Sequence, residues 1–332
     1  NPAWTKRVIA DKTTTPRVIS SASIDLDGDG RVEVVIAHDF DLNQPLAGHL
    51  LLARRSEEAG REHWGYSHVA NLGSVHRLRF GDLDGDGRPE LIAAPIVGPT
   101  TTPPAYQESP ARIMVYSPPS SFSPPSRSQT RPWSSWELAQ RPLLHAIEVK
   151  DLDGDGRAEI LTADNFGVGL FELETTGKSV VARGLTPGKI GQAPRCGSSE
   201  VHLGTLADGR RFLATVQPWH GTEVAVCLEK GQGTWEFEAG HVLDSTLADG
   251  HALWVADVDS DGDDEIFAGH RGPDQRVSAY DFDGSHWIRT VLDPDISAQD
   301  LRGTDLDGDR VPDLVAVGGR TSNVIWYRPR RP

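Results

Sequence analysis

The sequence predicts an all-β fold, and within that class a β-propeller of six blades. Its 34 glycines and 23 prolines separate short apolar runs rich in Val, Ile and Leu, a pattern typical of many short strands. One acidic phrase recurs along the chain, and an alternating segment with an aromatic residue follows most copies. Repeats of roughly 40 to 55 residues with about four strands each indicate a propeller, whose closure leaves few exposed sheet edges.

The acidic phrase has five clear copies, of which IDLDGDGRVEVVIAHD from Ile24 is the first. The first aspartates of the copies are Asp25, Asp82, Asp151, Asp257 and Asp305. The interval from Asp151 to Asp257 is about twice as long as the neighbouring intervals between first aspartates, which predicts a hidden copy. EVHLGTLADGRRFLATVQPWHG from Glu200 fills the gap with the strand pattern intact and the acidic loop shortened. These six units predict six blades.

The outer-strand phrase indicates how the ring closes. Five examples follow a copy of the acidic phrase, and the sixth, WTKRVIA from Trp4, stands at the start of the chain. We therefore expect the N-terminal strand to complete the last blade. A seventh blade within residues 74–140 is the alternative. The extra length there is mostly Pro and Ser, so residues 95–132 are predicted to be loop insertions of blade two in a single domain, 1–332.

Composition excludes several classes of function. The formal charge is −15 and no basic stripe occurs, so a nucleic-acid partner is not expected. No apolar run approaches the roughly 18 residues of a membrane span. A start at Asn1 and the single methionine, Met114, favour a mature secreted form, extracellular or periplasmic. Cys196 and Cys227 form either one disulfide or two free thiols.

The acidic loops predict calcium sites. In the first loop Asp25, Asp27 and Asp29 alternate on one side of a tight turn, Gly30 permits the bend, and Glu33 returns from the next strand. Hard oxygen donors at this density suit Ca²⁺, and without a cation the carboxylates would repel one another. The other four predicted ligand sets are Asp82, Asp84, Asp86 and Glu90; Asp151, Asp153, Asp155 and Glu159; Asp257, Asp259, Asp261 and Glu265; and Asp305, Asp307, Asp309 and Asp313. In the last loop Arg310 replaces the glycine. Ordinary Asp-Gly turns are the alternative interpretation.

These DxDxDGxxE loops between two strands resemble the FG-GAP or VCBS repeats of calcium-binding β-propellers, and the resemblance covers essentially the whole chain. It implies the fold and about five calcium ions. It does not imply one chemistry, because such propellers include integrin heads, lectins and sugar-degrading enzymes.

A column of histidines predicts a second kind of metal site. Six positions before each first aspartate stand Ile19, His76, His145, His251 and Gln299. Chance gives three histidines in such a column about one time in 100. Imidazoles from different blades would bind Zn²⁺, Mn²⁺ or Mg²⁺ with Gln299 or water completing the shell. The alternative is that each histidine caps a strand by hydrogen bonding.

Further histidines are candidates for proton transfer. Thirteen positions after the first aspartate stand His38, Asp164 and His270, and His220 follows Trp219 in the degenerate copy. A histidine titrates near neutral pH, so His38, His220 and His270 are candidate acids or bases. Trp219 is a candidate for stacking on a sugar, and Arg271 for orienting one. Solvated loop histidines are the alternative.

The histidines with Gln299 resemble the manganese site of propeller-fold oligogalacturonate lyases, and the blade phrasing is similar to the propeller portion of fungal aldos-2-ulose dehydratases. This resemblance implies a carbohydrate lyase or dehydratase that performs metal-assisted β-elimination on a sugar bearing a carbonyl or carboxylate. A calcium-dependent, sugar-binding lectin is the alternative. A protein-interaction head like that of integrins is a third reading.

Overall fold

The computed structural model of the chain describes residues 7–58, 61–104, 106, 108–122, 132–174 and 179–329. These described ranges contain 23 β-strands and no helix. The strands form six sheets in succession, five with four strands and one with three. The all-β, six-bladed propeller arrangement that the repeats predict is thus confirmed. Among these same residues, no helix has the length and apolarity to cross a membrane.

The first three sheets follow the chain order of their strands. Sheet one contains β1 (Ser20–Ile24), β2 (Glu33–His38), β3 (His49–Glu58) and β4 (Arg61–Asn71). Sheet two contains β5 (Val75–Gly81), β6 (Glu90–Pro95), β7 (Ala111–Ser117) and β8 (Ser134–Arg141). Sheet three contains β9 (Ala146–Lys150), β10 (Glu159–Asp164), β11 (Gly167–Leu173) and β12 (Val180–Thr186).

The last three sheets repeat this order. Sheet four contains β13 (Glu200–Thr205), β14 (Arg211–Gln217), β15 (Glu223–Leu228) and β16 (His241–Asp244). Sheet five contains β17 (Gly250–Ala256), β18 (Glu265–His270), β19 (Arg276–Phe282) and β20 (Trp287–Asp293). Sheet six contains β21 (Ala298–Thr304), β22 (Asp313–Gly318) and β23 (Asn323–Tyr327). The closing strand predicted around Trp4 lies outside the described residues.

The second strand of each of the first five sheets is almost wholly buried. β6 and β10 are buried at every position, and β2, with sequence EVVIAH, at all but its last. A strand that is apolar on both faces has to be covered on both faces, which is why these runs do not alternate. The loops between β6, β7 and β8 contain no strand in their described residues, and their interpretation as insertions in one domain stays a prediction.

The chain divides into two compact units, each with its own apolar clusters. Unit one comprises Asn1–Leu144, Val149–Glu159 and Leu173–Val180, and unit two comprises His145–Glu148, Ile160–Glu172 and Val181–Pro332. In unit one Leu50, Leu52 and Leu78 are fully buried together. In unit two Phe212 and Tyr280 belong to one cluster. Each such side chain contributes about 1.5–3 kcal/mol through burial.

Candidate functional site

Two of the histidines predicted as metal ligands, His145 and His251, lie close together in unit two. His145 directly precedes β9, and His251 is the second residue of β17. Both are buried, with exposed fractions of 0% and 2%, and their ring centroids are 4.8 Å apart. Buried imidazoles require hydrogen-bond partners, and those partners decide which nitrogen carries the proton.

Main-chain carbonyl groups fix the tautomer of both rings. His145 Nδ1 lies 2.9 Å from the carbonyl oxygen of Ser199 and 3.0 Å from Oε1 of the buried Glu200. His251 Nδ1 lies 2.7 Å from the carbonyl oxygen of Gln299. Because a carbonyl oxygen only accepts hydrogen bonds, each Nδ1 carries the proton and each Nε2 carries the lone pair. Imidazoles held in this way bind metal ions through Nε2.

A third histidine, His220, comes to the same place from the turn between β14 and β15. Its Nε2 lies 3.1 Å from Nε2 of His145, and its ring centroid lies 5.1 Å from that of His251. His220 has a φ of 48°, in the left-handed region that non-glycine residues rarely adopt. Backbone strain of this kind is concentrated at functional sites.

Asp249 holds the other side of the His220 ring. Its Oδ1 lies 3.0 Å from Nδ1 of His220, and the guanidinium of Arg271 donates to both carboxylate oxygens at 2.9 and 3.1 Å. Burial raises the pKa of Asp249, but hydrogen bonds from His220 and Arg271 outweigh it and hold the pKa well below its usual range. Nδ1 of His220 therefore faces both an acceptor, the carboxylate of Asp249, and a donor, Nη2 of Arg271 at 3.0 Å.

A cavity of 460 Å³ lies beside His220 in unit two, within the size range of small-molecule sites. Its walls include Arg195, Trp219, His220 and Asp249. The ring of Trp219 lies 4.6 Å from that of His220. The cavity thus combines an aromatic face with a base, a carboxylate and a cationic side chain, which is the set of groups that binds a polar sugar.

The donor set fits a divalent cation of the zinc or manganese type. Nitrogen atoms of His145 and His251 lie within 4.8 Å of each other, and the tautomers described above turn Nε2 lone pairs toward the same region. Gln299 lies beside these residues, and its amide oxygen accepts a hydrogen bond from Arg271 at 3.2 Å. Its amide nitrogen lies 3.4 Å from Nε2 of His251. The group that faces His251 is therefore the amide nitrogen.

The acidic loops share one backbone geometry. In the first loop Asp25 accepts hydrogen bonds from the N–H groups of Gly28, Asp29 and Gly30 at 2.8–3.2 Å. Oxygen atoms of Asp25, Asp27 and Asp29 lie within 4.8 Å of one another. Main-chain donors thus hold the carboxylates together despite their charge. The last loop keeps this geometry although Arg310 replaces the glycine, because Arg310 adopts a φ of 75°.

The glutamate that follows each of the first four loops is buried beneath it. Burial, together with the charges of the loop aspartates, raises the pKa of Glu90 and Glu159 to about 7 and that of Glu265 to about 8. Oε1 of Glu265 is buried without a hydrogen-bond partner. A buried carboxylate oxygen of this kind, set among aspartates, fits a hard cation such as Ca²⁺.

A comparison with known protein families identifies the fold family. The model of the aldos-2-ulose dehydratase β-propeller domain matches residues 48–230, more than half of the chain. The chain belongs to this family. The aldos-2-ulose dehydratase of Phanerodontia chrysosporium is 25% identical over 232 residues, which cover 64% of this chain and 25% of that protein. The chain therefore spans about a quarter of the length of this curated relative.

Solved structures resemble this family member in fold. The periplasmic gluconolactonase of Pseudomonas aeruginosa matches with a TM-score of 0.56 and 15% identity, covering 94% of this chain and 81% of its own. A protein of unknown function from Dyadobacter fermentans matches with a TM-score of 0.53 and 11% identity, covering 93% of each chain. At such low identity these likenesses show the fold alone.

The remaining predicted ligand of this propeller-family chain, His76, lies in unit one. It is the second residue of β5 and is buried. Its Nδ1 lies 3.0 Å from Nη1 of Arg77, and its ring lies 6.2 Å from that of Phe40. Its role as a metal ligand stays a prediction, as do those of His145, His251 and Gln299.

The other candidate acids and bases have different surroundings. His38, in unit one, has Nδ1 3.1 Å from Asp39 Oδ2. His270 is 1% exposed, its Nδ1 lies 3.1 Å from the carbonyl oxygen of Ala248, and burial lowers its pKa. Of the predicted acid–base residues in unit two, His220 is the one that lines the 460 Å³ cavity. The predicted roles of all three stay predictions.

Asp249 is the site residue that sequence reasoning missed. It belongs to the segment TLADG, which also occurs at 205–209, where the acidic loop has shortened. The copy of TLADG that ends just before His251 is the sequence signal that could have identified Asp249.

Cys196 and Cys227 are free thiols. Of the two alternatives for this pair, the structure therefore has the unpaired one.

Proposed function

We propose that this chain is a secreted, carbohydrate-active lyase or dehydratase that performs metal-assisted β-elimination on a sugar bearing a carbonyl or carboxylate. The observation that carries the proposal is the convergence of His145, His220 and His251. Main-chain carbonyl groups hold Nδ1 of His145 and of His251, and Nε2 of His220 lies 3.1 Å from Nε2 of His145. Membership of the aldos-2-ulose dehydratase propeller family supports a sugar substrate.

His145 and His251 would hold the metal ion, with His76 as the further ligand that the sequence predicts. A divalent cation bound there would polarise the carbonyl or carboxylate oxygen of the sugar and so acidify the adjacent C–H bond. Arg195 and Trp219, on the cavity wall, would bind the sugar through its charge and its ring face.

His220 would move the proton. Its Nε2 lies 3.1 Å from Nε2 of His145, so it is within reach of a group bound beside that residue. Nε2 takes the proton from the carbon next to the carbonyl. The electron pair of that C–H bond forms the C=C bond, the β-carbon–oxygen bond breaks, and the imidazolium returns the proton to the leaving oxygen. In this reaction Asp249 would accept the Nδ1 proton of His220, which leaves Nε2 as the basic nitrogen.

The acidic loops would bind about five Ca²⁺ ions as structural ions, in the manner of FG-GAP or VCBS repeats. Support comes from the repeated hydrogen bonding of the first aspartate and from the buried glutamates beneath the loops. Bound cations would neutralise carboxylates that otherwise repel one another. Calcium would thus stabilise the fold and take no part in the elimination.

The test combines metal analysis with an elimination assay. Purified protein is screened against acidic polysaccharides and keto-sugars for the ultraviolet absorbance of a conjugated product, and its metal content is measured by mass spectrometry. The His145→Ala variant should lose turnover and the transition metal while the calcium content is unchanged. Turnover retained in His145→Ala would refute the proposed site.

Sugar binding without catalysis is the second candidate, and a second cavity favours it. This cavity of 490 Å³ lies between β15–β16 and β19–β20, and its lining includes His241, Phe282, His286 and Trp287. Isothermal titration calorimetry with a sugar that the protein binds distinguishes the two functions. The lyase should bind about one sugar per chain, whereas a lectin with pockets between blades should bind several.

A further inference from the structure

At one end of the strands of sheet one, polar residues lie side by side, and the proposed function does not use them. His38 closes β2, His49 opens β3, and Asn71 closes β4. The register pairs His38 with His49 and His49 with Asn71. Directly paired residues on neighbouring antiparallel strands lie side by side on the same face, about 5 Å apart at Cβ. The two imidazole centroids are 5.3 Å apart.

Asp39 turns a carboxylate toward both rings. It follows β2 with a φ of 60°, a left-handed conformation that reverses the direction of its side chain relative to a continuing strand. Its Oδ1 accepts a hydrogen bond from Arg17 at 3.0 Å. Its Oδ2 lies 3.1 Å from Nδ1 of His38 and 3.9 Å from Nε2 of His49. One oxygen is thus fixed by an arginine, and the other faces two imidazoles.

The tautomer of His49 is fixed from behind by Asn71. His49 Nδ1 lies 2.9 Å from Oδ1 of Asn71, and an amide oxygen only accepts, so Nδ1 carries the proton. His68 Nε2 also donates to this oxygen, at 2.7 Å, which holds the amide in place. The nitrogen of His49 that faces Asp39 is therefore Nε2 with its lone pair.

Two electron-rich atoms consequently face each other. Nε2 of His49 and Oδ2 of Asp39 are separated by 3.9 Å, which is too long for a hydrogen bond through a proton. A cation between them would bind both lone pairs, and Nδ1 of His38 would join it after releasing its proton. The arrangement of a ligating imidazole whose second nitrogen donates to a fixed amide oxygen is characteristic of metal sites.

We propose that His38, Asp39 and His49 form a binding site for a divalent transition-metal ion of the zinc type. Two imidazole nitrogens and one carboxylate oxygen are ligands that Zn²⁺ prefers, whereas the all-oxygen loops favour Ca²⁺. The side chain of His49 is 45% exposed and that of His38 is 9% exposed. The site is therefore reached from solvent at His49, and a water molecule would occupy the fourth position.

The experiment separates this site from the histidine site of unit two. The parent protein carries His145→Ala and His251→Ala and is saturated with calcium, so that the acidic loops are filled. Isothermal titration with Zn²⁺ should give one equivalent at micromolar affinity, and Co²⁺ should give the intense visible absorption of a four-coordinate ion. Adding His49→Ala should weaken Zn²⁺ binding by at least about 100-fold, and adding Asn71→Ala should weaken it by about 10–100-fold.

His286→Ala is the matched control, since the side chain of His286 is 80% exposed and the residue directly precedes β20 of sheet five. It should leave the Zn²⁺ isotherm unchanged, and thermal melting confirms that each variant is folded. Zn²⁺ affinity that is the same with and without His49 would overturn the proposal. So would a parent protein that binds no Zn²⁺. Neither result would bear on the elimination reaction, for which other residues are proposed as ligands and base.

Discussion

Removing calcium should make the protein less stable as the pH rises from 5 to 8. In the calcium-free protein, burial and the neighbouring aspartates raise the pKa of Glu90 from 4.5 to about 7. In the unfolded chain the same group ionises around pH 4.5. Between these values the folded state binds more protons than the unfolded state, so the free energy of unfolding falls with increasing pH. The stabilisation is complete below pH 4.5 and is lost by about pH 7.

The size of the effect follows from the pKa values. Moving the pKa of one glutamate from 4.5 to about 7 corresponds to about 3 kcal/mol, at about 1.4 kcal/mol for each pH unit. Glu159 and Glu265 add to the loss, because their pKa values are also raised, to about 7 and about 8. Calcium binds the carboxylate form, so saturating Ca²⁺ should remove most of this pH dependence.

Chemical denaturation at pH 5 and pH 8, in chelator and in calcium, measures these free energies. The Glu90→Gln variant isolates one loop, because its neutral amide does not titrate. In chelator at pH 8 it should be about 3 kcal/mol more stable than the parent protein, and in calcium it should be less stable. The reasoning is refuted if the chelated parent is as stable at pH 8 as at pH 5, or if Glu90→Gln gains nothing in chelator.

Three substitutions in unit two test the site and the core. His220→Gln should keep the transition metal but lower kcat by at least about 100-fold, because the proton acceptor is gone. Steady-state kinetics measures kcat, and metal analysis measures the bound metal. Loss of the metal in this variant would show instead that His220 is a ligand. Asp249→Asn should lower kcat by about 10²–10⁴-fold, because an amide no longer holds Nδ1 of His220 protonated; an unchanged kcat would exclude this positioning role. Phe212→Ala, at a fully buried position, should lower the free energy of unfolding by about 3–5 kcal/mol in urea, and a loss below 1 kcal/mol would contradict the packing described for its cluster.

The fold was predictable because most blades contain a copy of the same turn and strand pattern. The phrase around Asp25 contains a turn that needs glycine and a strand, EVVIAH, that is apolar on both faces. Both signals are local, so five copies can be recognised without an alignment. The shortened copy at 205–209 was recognised by its spacing and strand pattern. The part of the prediction that depends on Trp4 concerns pairing between the two ends of the chain, which no local pattern determines.

The candidate site was only partly predictable. Its proposed metal ligands occupy repeated positions of the sequence, whereas the contacts of its proposed base form only in the folded chain. His145 and His251 occupy repeated positions, and a repeated position is visible in the sequence. Their tautomers depend on carbonyl groups of Ser199 and Gln299, 54 and 48 residues away, and main-chain acceptors carry no sequence signature. Asp249 contacts His220 from a separate turn, and both residues adopt left-handed conformations. A residue whose function depends on a strained turn is hidden from periodicity, since the strain is maintained by the packing of the sheets around it. For such sites the physical sign is the convergence of fixed donors and acceptors, and that becomes visible only once the sheets are assembled.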